Sequence, residues 1–362
     1  MKTCCSGQPS FGSIQEKIMP VMPTGPWVTG IHQTSTGPVP LIGTRLGFKD
    51  TMDRWKARWG IRRGALQVQP GLYAVGNPGP EAMVLATANY KPSFDALRKE
   101  LTGLDAWVLV LDTKGVNVWC AAGKGTFGTD ELARRIEAAR LKDVVSHKTI
   151  ILPQLAAPGI AGHTLKAMTG FRVVFGPVRA HDIKPFLENN MQATPAMRTV
   201  RFDLWDRFAV VPIELVMVMK YFLILLGVIA GWKWFAGNLT LAHMVSSTLP
   251  LLGALLLGTI GVPVLLPWIP ARSFALKGLG LGLLWTFAIG LYLGWGMIPF
   301  LGNLLLLPAV SAFLALNFTG CSTFTSQTGV NREIGMFARP LAALGLCGIL
   351  LLGANILIGA LT

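Results

Sequence analysis

Charge is scarce in this 362-residue chain. Only 14% of its residues are Asp, Glu, Lys or Arg, against about 25% in an average soluble domain. Acidic residues are the scarcer sign, 18 against 32 basic, which leaves a formal net charge of +14. Cysteine is sparse as well. Cys4, Cys5, Cys120, Cys321 and Cys347 are odd in number in a long chain, and the first residues carry no hydrophobic signal core. That pattern excludes a disulfide framework. No Cys-x-x-Cys occurs, so neither a zinc ribbon nor an intrinsic iron–sulfur cluster is written here. No run of five Lys or Arg and no nucleic-acid motif is present, so the basic excess suits a cytoplasmic face beside anionic lipid and not nucleic acid. A Walker A pattern is missing too.

The missing charge is missing mainly from one end. Residues 1–207 hold almost all of it, whereas 208–362 are dominated by Leu, Gly, Val, Ile and Phe. Residues 211–231 form an apolar run broken only by Glu214 and Lys220, and 244–268, 278–296, 297–317 and 340–361 follow as four more. Each reaches the roughly 20 residues that cross a hydrocarbon core. The predicted organisation is an N-terminal arm over 1–66, an α/β domain over 67–207 and a helical domain of about five spans over 208–362. Arg272, Lys277, Arg332 and Arg339 then fall in loops on the side of the α/β domain, and only Lys233 falls opposite. The positive-inside rule therefore sets the α/β domain in the cytoplasm, on a multi-pass inner-membrane protein.

Prolines 20, 23, 26, 38 and 40 make the arm read as irregular. Beyond residue 71, short apolar runs at 83–88, 106–112, 148–153 and 171–176 read as buried strands. Between and after them, 94–102, 130–141, 163–169 and 182–189 read as helices, the first two capped by Ser93 and Thr129. Strand–helix alternation predicts a doubly wound, Rossmann-like, mostly parallel sheet, with ligands at the carboxyl ends of its strands.

The stretch that carries chemistry follows the strand ending at Asp112. It runs Asn117, Val118, Trp119, Cys120, Ala121, Ala122, Gly123, Lys124, Gly125, Thr126, Phe127, Gly128, Thr129. Gly123, Gly125 and Gly128 satisfy G-x-G-x-x-G, but a dinucleotide fold needs that triplet directly after the strand. Here it lags by ten residues, and no acidic ribose-binding position ends the next strand. A lone cysteine is more often a packing residue than a reactive one. Cys120, however, lies in a Gly-rich segment at the ligand end of the sheet, before a helix and near Lys124, a setting that suits an anionic sulfur. It qualifies as a nucleophile or a soft metal ligand. Nothing in the sequence ties His147, His163 or His181 to it.

The octapeptide Asn117–Lys124, NVWCAAGK, resembles at every position the signature N-(V/I)-W-C-(A/S)-A-G-K of the HgcA family, the corrinoid proteins of microbial mercury methylation. A soluble domain followed by about five spans is also that family's layout. The soluble part is similar to the large subunit of the corrinoid iron–sulfur protein, as is NFTGCSTFTSQTGVNREI over 317–334. The resemblance implies an anaerobic, corrinoid-dependent methyltransferase. It implies that Cys120 is the lower axial ligand to cobalt, with Asn117, Trp119, Ala122, Gly123 and Lys124 forming the cap against the corrin's lower face and residues 117–129 as the cofactor-binding stretch. It further implies Hg(II) as methyl acceptor, an upstream methyl-donor protein, and HgcB, a ferredoxin-like partner with two 4Fe–4S clusters.

Two other readings compete: the same carrier with a different acceptor, and a transporter with a regulatory nucleotide-binding domain. Cys4 and Cys5 form a vicinal pair that suits soft-metal capture or a solvated tail. Cys321 falls in an inside loop, and Cys347 reads as packing within the last span. Glu214 and Lys220 are ionisable groups within a span and so draw attention. Their spacing of six puts them on different helix faces, with Lys220 toward a bundle cavity.

Overall fold

The computed structural model describes residues 25–321, 323–325 and 327–361; Cys4 and Cys5 lie outside them. The chain forms a seven-stranded mixed sheet with helices, followed by a helical region. In chain order the elements are β1 Val28–Thr34, β2 Gly37–Ile42, α1 Phe48–Arg58, β3 Gly71–Val75, β4 Met83–Ala88, α2 Lys91–Glu100, β5 Ala106–Leu111, α3 Val118–Gly123, α4 Thr129–Ala138, α5 Leu141–Val144, β6 Thr149–Leu152, α6 Gly162–Thr169, β7 Arg172–Phe175, α7 Ile183–Glu188 and α8 Pro195–Arg198. Then come α9 Leu204–Phe235, α10 Leu241–Leu256, α11 Val262–Leu265, α12 Phe274–Leu293, α13 Met297–Asn317 and α14 Gln327–Leu361. Two compact units result: residues 1–46 with 67–193, and 47–66 with 194–362.

In the first unit the strand order is β1-β2-β3-β5-β4-β6-β7. Strands β5, β4, β6 and β7 are mutually parallel. Among these four the chain runs from β4 outward to β5, then back past β4 to β6 and β7. Right-handed crossovers in opposite directions put α2 and α4 on opposite faces, and the reversal makes a switch point at β4. The expected arm is not irregular where it is described. Residues 28–42 are an antiparallel hairpin, β1–β2, that extends the sheet through a Leu41–Ala74 bridge. Proline removes ladder donors without preventing an extended chain, so Pro38 and Pro40 sit within β2. The first helix starts earlier than Ser93: Tyr90 takes the cap position and Pro92 occupies the first turn, where no amide is needed.

Beneath α2 lies an ion cluster. Asp95 accepts from Lys91 Nζ at 2.6 Å and from Arg98 Nε at 2.8 Å, and all three are buried. Arg98 Nη1 also donates to the Gly43 and Arg45 carbonyls, tying the end of the hairpin to α2.

Among the described residues, the second unit contains five helices long and apolar enough to cross a membrane: Leu204–Phe235, Leu241–Leu265, Phe274–Leu293, Met297–Asn317 and Thr328–Ile358. In α9, Trp205 and Phe208 are exposed near one end, and Trp232, Trp234 and Phe235 at the other. Trp205 and Trp232 are 27 residues apart, about 40 Å along a helix, which matches a bilayer with its interfaces. Small residues let α12 and α13 meet backbone to backbone. A Cβ added at Gly278 would lie 2.6 Å from Ala312 Cα, and one at Gly282 would lie 2.6 Å from Pro308 Cα, the packing use of glycine in apolar helices.

Helix ends here are capped by side chains from elsewhere. Arg207 donates to the Pro263 and Val264 carbonyls, and Lys277 to those of Leu266 and Ile269. They satisfy carbonyls that a helix C-terminus leaves open. Glu333 accepts from Ser273 Oγ and Ala275 N at the start of α12, where a negative charge suits the helix dipole. Two expectations fail. Lys220 is exposed on α9 and does not face a bundle cavity, and Cys347 is exposed on α14 and does not pack. Hydropathy identifies a span but not which of its sides the neighbours cover, and α9 and α14 are the two least covered.

Removing Asp95 would take from two buried cations the carboxylate they share. Asp95→Ala is predicted to cost about 3–5 kcal/mol, measured by pulse proteolysis of the full-length protein across a urea series. A Lys99→Ala control, which breaks an exposed pair with Glu100, should shift the midpoint by less than about 1 kcal/mol.

Candidate functional site

The chemistry-bearing segment leaves the sheet at the carboxyl end of β5, and Asn89, at the end of β4, controls its departure. Asn89 is buried. Its Oδ1 accepts from Thr113 N at 3.1 Å, Thr113 Oγ1 at 2.8 Å and Gly115 N at 2.9 Å. Its Nδ2 donates to Asp112 Oδ1. Glu131 of α4 accepts from Asp112 N at 2.8 Å and pairs with Arg134 and Arg135. Burial pushes the Asp112 carboxyl up. The side-chain and backbone hydrogen bonds from Lys114, with the charges of Lys114 and Arg135, outweigh that and hold it below its ordinary value. The anchor is therefore ionised throughout the neutral range.

After this turn the chain forms a helix where a loop was expected. Asn117 caps α3, its Oδ1 accepting from Cys120 N at 2.9 Å. Asn is among the best residues at that position. Cys120 thus sits in the first turn of α3, not in a loop ahead of the next helix. Val118, Ala121 and Ala122 point into the core, while Trp119, Cys120, Gly123 and Lys124 are exposed. Spacings of three and four put these last residues on one side of the helix. A Cβ added at Gly123 would meet nothing within 4 Å, so the ground beside the Cys120 sulfur is open.

The floor under α3 is a backbone contact. The 3₁₀ turn Gln154–Gly159 after β6 packs against α3. A Cβ on Gly159 would run into the Phe127 carbonyl and lie 3.2 Å from Ala122 Cα. Gly125 takes a positive φ of 79° to return the chain, Phe127 is fully buried, and Thr126 and Gly128 are half-buried. Thr129 begins α4, with Gly128 as its cap. Its hydroxyl, expected to cap that helix, instead accepts from Ala161 N at 2.9 Å. All thirteen predicted residues, 117–129, therefore form one continuous helix-and-return unit. Sequence reasoning missed Asn89 and Gly159, although a polar residue closing an apolar strand run was a usable signal for Asn89.

Beside the unit, at the switch point, lies an apolar cleft of about 280 Å³ lined by Thr87, Asn117, Trp119, Leu152, Pro153 and Pro177 among others. Cys120 itself is free. Among the described residues no histidine hydrogen-bonds to it, and His147 is held at the opposite end of the sheet by the Ala82 carbonyl and Thr149 N. No group of three His, Cys, Asp or Glu among the described residues is placed to hold a metal ion. A metal at Cys120 would need its other ligands from a bound molecule.

Because the α3 floor has no room for a methyl group, Gly159→Ala should strain it by about 1–3 kcal/mol. Hydrogen exchange of amides 118–127 in the full-length protein should then quicken by roughly tenfold or more, with the β4 and β5 amides unchanged.

Comparison with known proteins bears on this same unit. A family model described as CO dehydrogenase/acetyl-CoA synthase delta subunit matches residues 61–187. The acetyl-CoA decarbonylase/synthase complex subunit gamma of Archaeoglobus fulgidus is 34% identical over 130 residues, 35% of this chain and 27% of that protein. The subunit of the same description from Methanocaldococcus jannaschii is 34% identical over 125 residues, 34% of this chain and 25% of that one. That of Methanosarcina acetivorans is 31% identical over 132 residues, 35% and 28% of the two chains. The chain spans only about a quarter of the length of these curated relatives. The family match takes in the whole 117–129 unit and ends before the first apolar helix.

Proposed function

We propose that this chain is a membrane-anchored, corrinoid-dependent methyltransferase whose methyl acceptor is Hg(II). The observation that carries the proposal is Cys120, presented on the open side of a capped helix within NVWCAAGK at the carboxyl end of the sheet. The match of 61–187 to a subunit family of acetyl-CoA synthesis supports the corrinoid part, and the octapeptide supports mercury.

The residues fit such a cofactor. A flat macrocycle needs one soft donor on an unobstructed face; Cys120 supplies the donor, and Gly123 leaves the space beside it. When bound, the corrinoid supplies the organometallic chemistry, carrying the methyl group on cobalt. Cys120 would hold the cofactor's cobalt through its sulfur, a strong donor that would favour release of methyl to an electrophile. Asn117 fixes the turn that carries it, Trp119 and Lys124 flank it, and Val118, Ala121, Ala122 and Phe127 anchor the cap from below. Gly125, Thr126, Gly128 and Thr129 return the chain to α4.

The domains follow as a cytoplasmic corrinoid-binding unit, to about residue 207, and an inner-membrane helical unit, oriented by the positive-inside rule. An upstream protein would donate the methyl group. The sequence has no four-cysteine cluster spacing, so reducing electrons would arrive from the ferredoxin-like HgcB through its two 4Fe–4S clusters. A second acceptor is favoured by the relatives' description: a methyl carrier serving an acetyl-CoA decarbonylase/synthase-type complex. Methylmercury yield against methyl loss to other acceptors separates the two.

Cys120→Ala should abolish methylmercury formation and the corrinoid absorbance of the purified protein, while Cys347→Ala leaves both near the parent. Cys120→His should retain part of the absorbance but lose transfer. Undiminished methylmercury from Cys120→Ala would remove the assignment. Purified protein given methyl donor, Hg(II) and a physiological reductant but no ferredoxin-like partner should stop after one turnover at most; sustained turnover would place the electron route elsewhere.

A further inference from the structure

Helix α1 is inside out for a helix facing water. It buries Asp50, Asp53 and Ala57 and exposes Phe48 (82%), Met52 (39%), Trp55 (59%) and Trp59 (38%), the last being its C-cap. At 3.6 residues per turn, about 100° per residue, these four fall within roughly 60° of one another. Lys49 and Lys56 flank that stripe on one side, and Arg54 and Arg58 on the other, all exposed. Arg62, Arg63 and the exposed Ile61 follow directly. Between residues 47 and 66 every exposed ionisable side chain is basic, because the two acids are the buried ones.

We propose that α1 lies in the plane of the membrane surface, with its Phe48–Met52–Trp55–Trp59 stripe in the headgroup–acyl boundary and its lysines and arginines on anionic lipid phosphates. A tryptophan-bearing apolar stripe bordered by cations is the pattern of interfacial helices. Its depth also agrees. Residues 47–66 belong to the same compact unit as the apolar helices, and a Cβ added at Gly60 would stand 3.2 Å from Ile213 Cγ1 of α9. Ile213 is five residues past Phe208, about 8 Å along α9, within the roughly 5–10 Å to which such helices sink. The exposed basic charge complements a leaflet rich in anionic lipid. The helix then acts as a float beside the first span.

The proposal rests on α9 spanning a bilayer, and the test separates the two. Nitroxide labels are placed singly, through Phe48→Cys, Met52→Cys, Trp55→Cys or Trp59→Cys, on the full-length chain with its native cysteines changed to serine. Ile224→Cys on α9 and Glu137→Cys on α4, both exposed positions, serve as lipid and water references. Each protein is reconstituted in nanodiscs containing phosphatidylglycerol, and collision with oxygen is compared with collision with a water-soluble nickel chelate. The oxygen-to-nickel ratio at all four α1 sites should exceed that at Glu137 by about threefold or more, and should fall when phosphatidylcholine replaces the anionic lipid. Ratios like that of Glu137 at all four sites, with Ile224 in lipid, would overturn the proposal and leave the stripe facing water or a protein. Ile224 itself in water would overturn the span reading instead. Four label sites keep the result from depending on one variant's folding, and each is compared with the unlabelled parent by circular dichroism.

Discussion

Much of the site hangs on one buried amide. Asn89 gathers three donors on a single oxygen, so the chain leaving β5 turns in one way only. A buried polar network of this kind is costly if any member is unmet and directional when all are met. Here the direction is the product: the turn delivers Asn117 where it can cap α3, and the cap fixes the backbone of Cys120. The ionic knot of Asp112, Lys114, Glu131 and Arg135 holds the same turn from the solvent side. Cys120 is therefore rigid at its backbone and open at its sulfur.

The unit of apolar helices solves a related problem. Apolar helices that end near one another leave carbonyls and amides without partners, and in lipid those groups have no water to turn to. Arg207, Lys277 and Glu333 cap the ends of neighbouring helices. Two of these lie in what hydropathy reads as loop charge. Part of the positive charge that the positive-inside rule counts is thus also structural, and Lys277 is buried in that role.

Strands β4 to β7 were legible because each is a short apolar run bounded by turn residues, and the five apolar helices because length and hydropathy suffice for them. Other features, β3 among them, were not. Strands β1 and β2 were hidden by Pro38 and Pro40, which signal irregularity by statistics but forbid only hydrogen-bond donation. Helix α1 was missed although Phe48, Met52, Trp55 and Trp59 recur at helical spacing, because the prolines before it made the whole arm read as irregular. Helix α3 was hidden by the glycines of its own motif, which suggested a loop until the Asn117 cap was seen. The start of α9 at Leu204 was hidden because a hydropathy window registers the long apolar stretch and not the capped turn before it. The octapeptide itself was fully legible, whereas its supports were not: Asn89 stands 28 residues before Asn117, and Gly159 stands 36 residues after Gly123. Contacts made across a fold leave no local pattern.

The backbone-on-backbone seat of α3 also governs where this chain can change in length. Residues 117–129 and the Gly159 turn touch without a side chain between them, so adding or deleting one residue in either would put a Cβ or a carbonyl into the other. The Ser35–Thr36 turn between β1 and β2 is held more loosely. Ser35 Oγ donates to the Asp143 carbonyl, but at Gly37 an added Cβ would meet nothing within 4 Å. An epitope or fluorescent tag spliced into that hairpin tip would give up the Ser35 contact and the local bonds of Thr34 with Thr36 and Gly37, lengthen the chain at the far edge of the sheet and leave the cysteine's seat undisturbed.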